Sequence, residues 1–209
     1  MSSSDIDVIC QNSEQLTPLY QAAGDGRTAD VEALLDAKAD VNERDGDSDQ
    51  TPLHQAAQSG HTAVLRALIN ARASIDLTDG SNCTALHLAA EGGHAASIQA
   101  LVDAKATVDV KGGDDDKTPL HRAARLGHRD AVQILIDAQA SVNILDGDRQ
   151  TPLHRAAWEG HNTVIGALIA AKARVDIPDS EMWLPVHSAA RRGHAAAVKL
   201  LINAKAHVN

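Results

Sequence analysis

Eleven histidines stand in this chain of 209 residues, and imidazole is the side chain that most readily moves protons or binds metals near neutral pH. Ten of them fall at two recurring places. His54, His87, His121, His154 and His187 each close a short Thr-Pro-Leu-His-like phrase, and His61, His94, His128, His161 and His194 each follow a glycine. A catalytic or metal centre gathers unlike groups at one point, whereas this spacing spreads like groups evenly along the chain, so the histidines read as structural. The run Asp45-Gly46-Asp47-Ser48-Asp49 begins like a calcium loop, but Gln50 and Ala56 stand where such a loop needs Gly and Glu. Asp114-Asp115-Asp116 has no ligand pattern after it, and these acidic stretches read as solvated turns. Cys10 and Cys83 lack zinc-site spacing and a neighbouring base. No nucleophile elbow, P-loop or dinucleotide fingerprint occurs. The sequence therefore predicts no catalytic, cofactor-binding or metal-binding residue and a non-enzymatic protein.

Charge and composition narrow the remaining classes. A formal charge of −9 opposes nucleic-acid binding, which needs a basic footprint to neutralise phosphates. The N-terminal Met1-Ser2-Ser3-Ser4-Asp5 has no basic start or apolar core of a signal peptide, and the longest apolar run, Val164 to Ala171, is too short to span a bilayer. Two cysteines form no disulfide framework, which fits a reducing compartment, the cytoplasm first and the nucleus second. Aromatic residues make up 1% of the chain. A core without rings must be filled by smaller residues, and alanine lets helices approach closely.

The elements that position these residues repeat. The phrase at Thr17 returns at Thr51, Thr84, Thr118 and Thr151 and, altered, at Leu184, in steps of 33 or 34 residues. In the first five copies Thr offers a helix N-cap, which the last copy lacks at Leu184, and in most copies Pro follows at the first helical position. An Ala-Ala pair follows (Ala22-Ala23 through Ala189-Ala190), then a glycine that ends the helix (Gly26, Gly60, Gly93, Gly127, Gly160, Gly193). A second helix carries apolar residues at i, i+3, i+4, as in Ile98, Leu101 and Val102. In the first copy the helices are expected near 18–26 and 28–37. An Asp- and Gly-rich segment suited to a hairpin-like turn joins one copy to the next. No copy can bury its apolar stripe alone, so the units must stack as an all-α solenoid. Residues 1–15 read as a polar tail and 16–209 as the repeat domain.

With its Thr-Pro-Leu-His phrases, Ala-Ala pairs, Gly-His pairs and the closing Asp40-Val41-Asn42, the chain resembles the ankyrin-repeat family, with six repeats over about nine tenths of its length. It departs from the family pattern where a glycine usually follows the second helix: Lys38, Arg72, Lys105, Gln139, Lys172 and Lys205 stand there. A second family glycine, two residues before the phrase, is replaced by Asp49, Asn82, Asp116, Arg149 and Met182. Either these loops avoid the left-handed conformation or they bear about 1 kcal/mol of strain at each such residue, and some hairpin tips are expected to be looser than in the family. The last copy keeps apolar Val198, Leu201 and Ile202, and reads as an interior repeat, cut from a longer chain or covered by a partner.

The resemblance implies binding in a concave groove lined by hairpin tips and first helices. On the groove-facing offsets stand Arg122, Arg125, Leu126, Arg155, Trp158, Trp183, Arg191 and Arg192, including both tryptophans of the chain. Trp and Arg dominate interface hot spots; the alternative is that the two rings pack on each other or on alanine. The five hairpin segments carry −11 in sum, so the rest of the chain is slightly basic. The expected partner is a protein or peptide with an acidic segment and apolar anchors, bound by a monomer. The runner-up role is a regulatory or substrate-recruiting module of an enzyme. Resemblance also implies asparagine hydroxylation at a repeat end, for which Asn42, with Leu34 eight residues before it and Asp40 two before, has the favoured surroundings.

Overall fold

The structure is a computed structural model in which residues 17–206 are described; the expected tail at 1–15, with Cys10, lies outside them. Six helix pairs follow one another: α1 (Pro18–Gly24) and α2 (Thr28–Asp36), α3 (Pro52–Ser59) and α4 (Thr62–Asn70), α5 (Ala85–Gly92) and α6 (Ala95–Asp103), α7 (Pro119–Leu126) and α8 (Arg129–Asp137), α9 (Pro152–Glu159) and α10 (Asn162–Ala170), and α11 (Pro185–Arg191) and α12 (Ala195–Ala206). Each first helix lies against the next first helix and each second against the next second, which makes two layers. Among the described residues the hairpin-like turns form isolated antiparallel bridges only, Thr78–Thr84 and Gly112–Lys117.

Alanine does what the missing rings would do. Ala23, Ala56, Ala57, Ala89, Ala90, Ala123, Ala124, Ala156 and Ala157 are fully buried between first helices, with Leu53, Leu86, Leu120 and Leu153 beneath them. A buried leucine contributes about 1.5–3 kcal/mol, so each junction draws most of its stability from few side chains. The first helices stop earlier than the spacing suggests, α1 at Gly24, because Gly26 turns left-handed at φ 71°. A β-carbon there would lie 2.7 Å from Nδ1 of His61, so glycine serves both the turn and the close approach of the next repeat.

The loops after the second helices do not avoid the left-handed region. Lys38, Arg72, Lys105, Gln139 and Lys172 sit at φ 66–70°, and the tip residues Asp49, Asn82, Asp116, Arg149 and Met182 at φ 53–64°. The expectation of looser tips is not met, since each tip is closed across itself. The N–H groups of Asp45, Asp79, Gly112, Asp146 and Asp179 donate to the carbonyls of Gln50, Cys83, Lys117, Gln150 and Trp183 at 2.8–3.0 Å. Tips are also joined in series, Gly80 N–H to Ser48 O, Gly113 to Ser81, Gly147 to Asp115 and Ser180 to Asp148. On the last repeat His187 and Ala190 are exposed, Ile202 is exposed, and a β-carbon on Gly193 would meet no atom within 4 Å. Its outer face is that of an interior repeat.

Candidate functional site

Two histidine sets clamp the junctions. In the first, Nδ1 of His54, His87, His121 and His154 accepts the backbone N–H of Thr51, Thr84, Thr118 and Thr151 at 3.1–3.2 Å. The ring proton is therefore on Nε2, which donates to the tip carbonyls of Cys83, Lys117, Gln150 and Trp183 at 3.0–3.1 Å. Histidine thus fills the third helical position of a capping box and reaches into the next repeat. Burial depresses the basicity of all four, and His87 and His121 are pushed down to about 4. In the second set, Nε2 of His61, His94, His128, His161 and His194 donates to Gly24, Gln58, Glu91, Arg125 and Trp158 carbonyls at 2.9–3.0 Å. These open carbonyls end the first helices, so each histidine completes the helix before it.

The groove-offset residues divide into three groups. Arg155 is spent internally: its Nε donates to Asp146 Oδ2 at 2.8 Å and its Nη2 reaches Asp148 Oδ2 at 3.2 Å. Arg122 pairs with Glu91 and donates from Nη2 to Cys83 Sγ at 2.8 Å, while Arg125 Nη2 stands 3.8 Å from the other Glu91 oxygen; Leu126 is exposed beside them. Two guanidinium groups therefore share one carboxylate, and Nε of both is enclosed without an acceptor. The third group is Trp158, Trp183, Arg191 and Arg192. The Arg191 guanidinium carbon lies 5.7 Å from the Trp158 ring centre and 5.2 Å from that of Trp183, and Arg192 lies 5.1 Å from Trp158. Trp183 also meets the edge of His187. The rings are half-buried, and the Arg191 guanidinium lies over both of them. Arg191 and Arg192 are exposed and pair with no carboxylate among the described residues.

Cys83 is 2% exposed; burial pushes its thiol pKa up, against the nearby Arg122. Leu88 and Ser188, on the first helices of their repeats, are buried as well. One sequence reading needs correction. The tips are not simply solvated acid. Asp45, Asp79, Asp146 and Asp179 are buried, because each carboxylate accepts the amides of its own tip, as Asp79 Oδ1 does from Ser81 and Cys83 at 2.9 Å. Their recurrence five or six residues before the phrase was the signal that counting charge alone missed. Asn42 Oδ1 accepts Ser74 N–H at 2.8 Å, the first of four such rungs between repeats, continued by Asp76, Asp109 and Asn143.

A cleft of about 420 Å³ opens between the second and third tips, bordered by Cys83, Glu91, Gly112, Lys117, Arg122 and Arg125. No helix among the described residues is long and apolar enough to cross a membrane.

Comparison with known proteins agrees with this geometry. A family model described as ankyrin repeats (3 copies) matches residues 2–79, 71–146 and 139–209. The human ASB11 ankyrin repeat domain is similar in structure, with a TM-score of 0.83 and 26% identity over 90% of this chain and 84% of that one. Also similar, with a TM-score of 0.80 and 25% identity over 91% of this chain and 99% of that one, is a chain from the complex of the Bd0816 predatory endopeptidase of Bdellovibrio bacteriovorus with the immunity protein Bd3460. No curated protein matches the sequence. Stacked helix pairs, histidine clamps at every junction and a family match along the whole length lead to one conclusion: the chain belongs to the ankyrin-repeat family.

Proposed function

We propose that this chain is a non-enzymatic binding module that holds a protein or peptide, with an acidic segment and apolar anchors, against its first helices and hairpin tips. Ankyrin repeats generally mediate protein–protein interaction. The observation that carries the finer reading is the arrangement of Arg191 between the Trp158 and Trp183 rings, with Arg192 on the outer ring and no carboxylate partner for either arginine among the described residues. Stacking holds a guanidinium group in place while leaving its in-plane N–H donors free for a carboxylate. The same rings offer apolar area that a partner can desolvate. Arg122, Arg125, Leu126 and Arg155 extend the surface toward the middle of the stack, as a rim whose charges are already partly answered. Screening of the exposed pairs makes the affinity fall moderately as salt rises. We place the encounter in the cytoplasm, where a free thiol such as Cys83 stays reduced.

A side-by-side capture from the source cell tests the reading. Wild-type protein and Gln55→Ala are expected to retain the same partner, and Trp158→Ala to lose it, since truncating a central ring costs about 2 kcal/mol or more. Equal recovery by all three would remove the tryptophans from the binding surface. A second reading, in which the partner is an enzyme whose rate the bound module changes, draws on the likeness to the endopeptidase–immunity protein complex. It requires the recovered partner to have an activity that this chain alters.

A further inference from the structure

The tip between the fifth and sixth repeats carries a side chain that its own fold does not use. Every tip places a non-glycine residue at positive φ two places before the next first helix's cap. Asp49, Asn82 and Asp116 are of the types that tolerate this conformation, and Arg149 is exposed to water, which solvates its charge. Met182, at φ 64°, has neither advantage. It is 74% exposed, against 37% for Leu126 and 56% for Ile202, the other large apolar side chains that stand exposed among the described residues. Closure of this tip runs through backbone and aspartate. Asp179 N–H donates to the Trp183 carbonyl at 2.9 Å, Trp183 N–H to Asp179 Oδ1 at 2.8 Å and Met182 N–H to the Asp179 carbonyl at 3.1 Å. Glycine at 182 would make the same bond without strain and without exposing apolar surface. A residue unfavourable on both counts points to a use outside the folded chain.

Its surroundings say what that use is. The next residue is Trp183, whose ring centre lies 5.2 Å from the Arg191 guanidinium carbon. The chain holds two methionines, Met1 and Met182, two tryptophans and no phenylalanine, so the last two repeats concentrate Trp158, Trp183 and Met182 out of very few large, soft side chains. An unbranched thioether adapts to the shape of an aliphatic or aromatic group laid against it. Glu181 is exposed on the same tip, and its charge repels an acid from the Met182 end. That leaves Arg191 and Arg192, exposed at the end of α11, as the place where an acid is attracted.

We propose that Met182 is a contact residue of the binding site: a large apolar side chain of the partner seats against it at the tip while the acid of the same segment meets Arg191 and Arg192. The inference rests on the reading that the tryptophan–arginine cluster binds an acidic segment with apolar anchors. It adds the order within that segment, with the apolar anchor toward the hairpin tip and the acid toward the end of α11.

A library of short random peptides displayed on phage and selected on the whole chain tests this without a known partner. Wild type should enrich peptides that combine an acid with a large apolar residue. Met182→Gly, in which the strain is relieved, should enrich acids with no apolar preference. The best wild-type peptide, made synthetically, should bind Met182→Gly at least about tenfold more weakly, and Met182→Leu, which keeps the apolar bulk, within about twofold. In wild type labelled at the methionine methyl groups, that peptide should shift the Met182 resonance saturably, which decides the matter alone should Met182→Gly not fold. No enrichment, the same apolar preference from Met182→Gly, equal affinity for Met182→Gly, or an unmoved Met182 methyl overturns the contact. Trp158→Ala, selected in parallel, separates the two claims. Loss of the peptides there with retention by Met182→Gly removes Met182 alone, and the reverse removes the tryptophan reading alone.

Discussion

Moderate acid should loosen the stack through its buried histidines before its carboxylates titrate. His87 and His121 are fully buried with folded values of about 4, set first by burial, against about 6.5 in an unfolded chain. Below 6.5 the unfolded chain binds the extra protons, so the stability these groups contribute is complete above 6.5 and is lost as pH falls toward 4. At pH 5 the difference is about 1.5 pH units for each, or about 2 kcal/mol per histidine and about 4 kcal/mol for the pair. His54 and His154, shifted down by the same cause, act in the same direction. Asp45 and Asp115 lie below the ordinary carboxylate range and contribute nothing between pH 7 and 5. Burial raises the Asp45 value and hydrogen bonds from Ser48 and tip amides outweigh it, whereas for Asp115 the bond from Lys117 dominates. Urea unfolding followed by circular dichroism at pH 7 and pH 5 measures the loss. The double variant His87→Gln, His121→Gln should be weaker at pH 7 and lose much less on acidification. Equal wild-type stability at the two pH values, or an undiminished loss in the double variant, would refute the neutral-clamp reasoning.

Lys105→Gly should raise stability by about 1 kcal/mol, because Lys105 sits at φ 70°, where only glycine is free of side-chain strain; urea midpoints check it. Gly127→Ala should cost about 2 kcal/mol or more, since its β-carbon would stand 2.6 Å from Nδ1 of His161 at φ 77°, and the melting temperature should fall accordingly. We propose Asn42 as a hydroxylation site: incubation with an asparaginyl hydroxylase should add the mass of one oxygen atom there, and its absence from the Asn42 peptide in mass spectrometry would remove the site. Its side-chain oxygen already accepts Ser74 N–H, so modification at Cβ should leave that rung intact.

The repeated phrase, the alanine pairs and the Gly-His pairs placed every helix pair from sequence, because stacking imposes the same packing need on each copy. What each histidine touches followed less directly, since Thr118 and His121 are neighbours in sequence but the Gln150 carbonyl that His121 reaches lies in the next repeat. Charge was the least legible property. Arg122, Arg125 and Arg155 looked available on their offsets, yet Glu91 from the preceding repeat answers the first two and Asp146 from the adjoining tip the third, and Asp45, in a stretch that looked like a solvated turn, is buried. Offsets along one copy give the direction of a side chain, not the partner that a neighbouring copy supplies. The substitutions of Lys and Met for the family glycines showed where strain would sit, and the left-handed loops bear it rather than avoid it. Trp158 and Trp183 fell on the expected offsets; their joint hold on Arg191 required three segments of the last two repeats to be assembled.

Binding at the tryptophan–arginine cluster can be read without a label, because Trp158 and Trp183 are the two tryptophans of the chain and both lie in it. The decisive measurement is a titration of intrinsic fluorescence with the partner recovered in the capture experiment, on wild type, Trp158→Ala and Gln55→Ala. The account predicts a saturable change in wild type and Gln55→Ala at similar affinity, and affinity weaker by about thirtyfold or more in Trp158→Ala, the equivalent of about 2 kcal/mol. Unchanged affinity in Trp158→Ala, with Trp183 emission still reporting saturation, would contradict it.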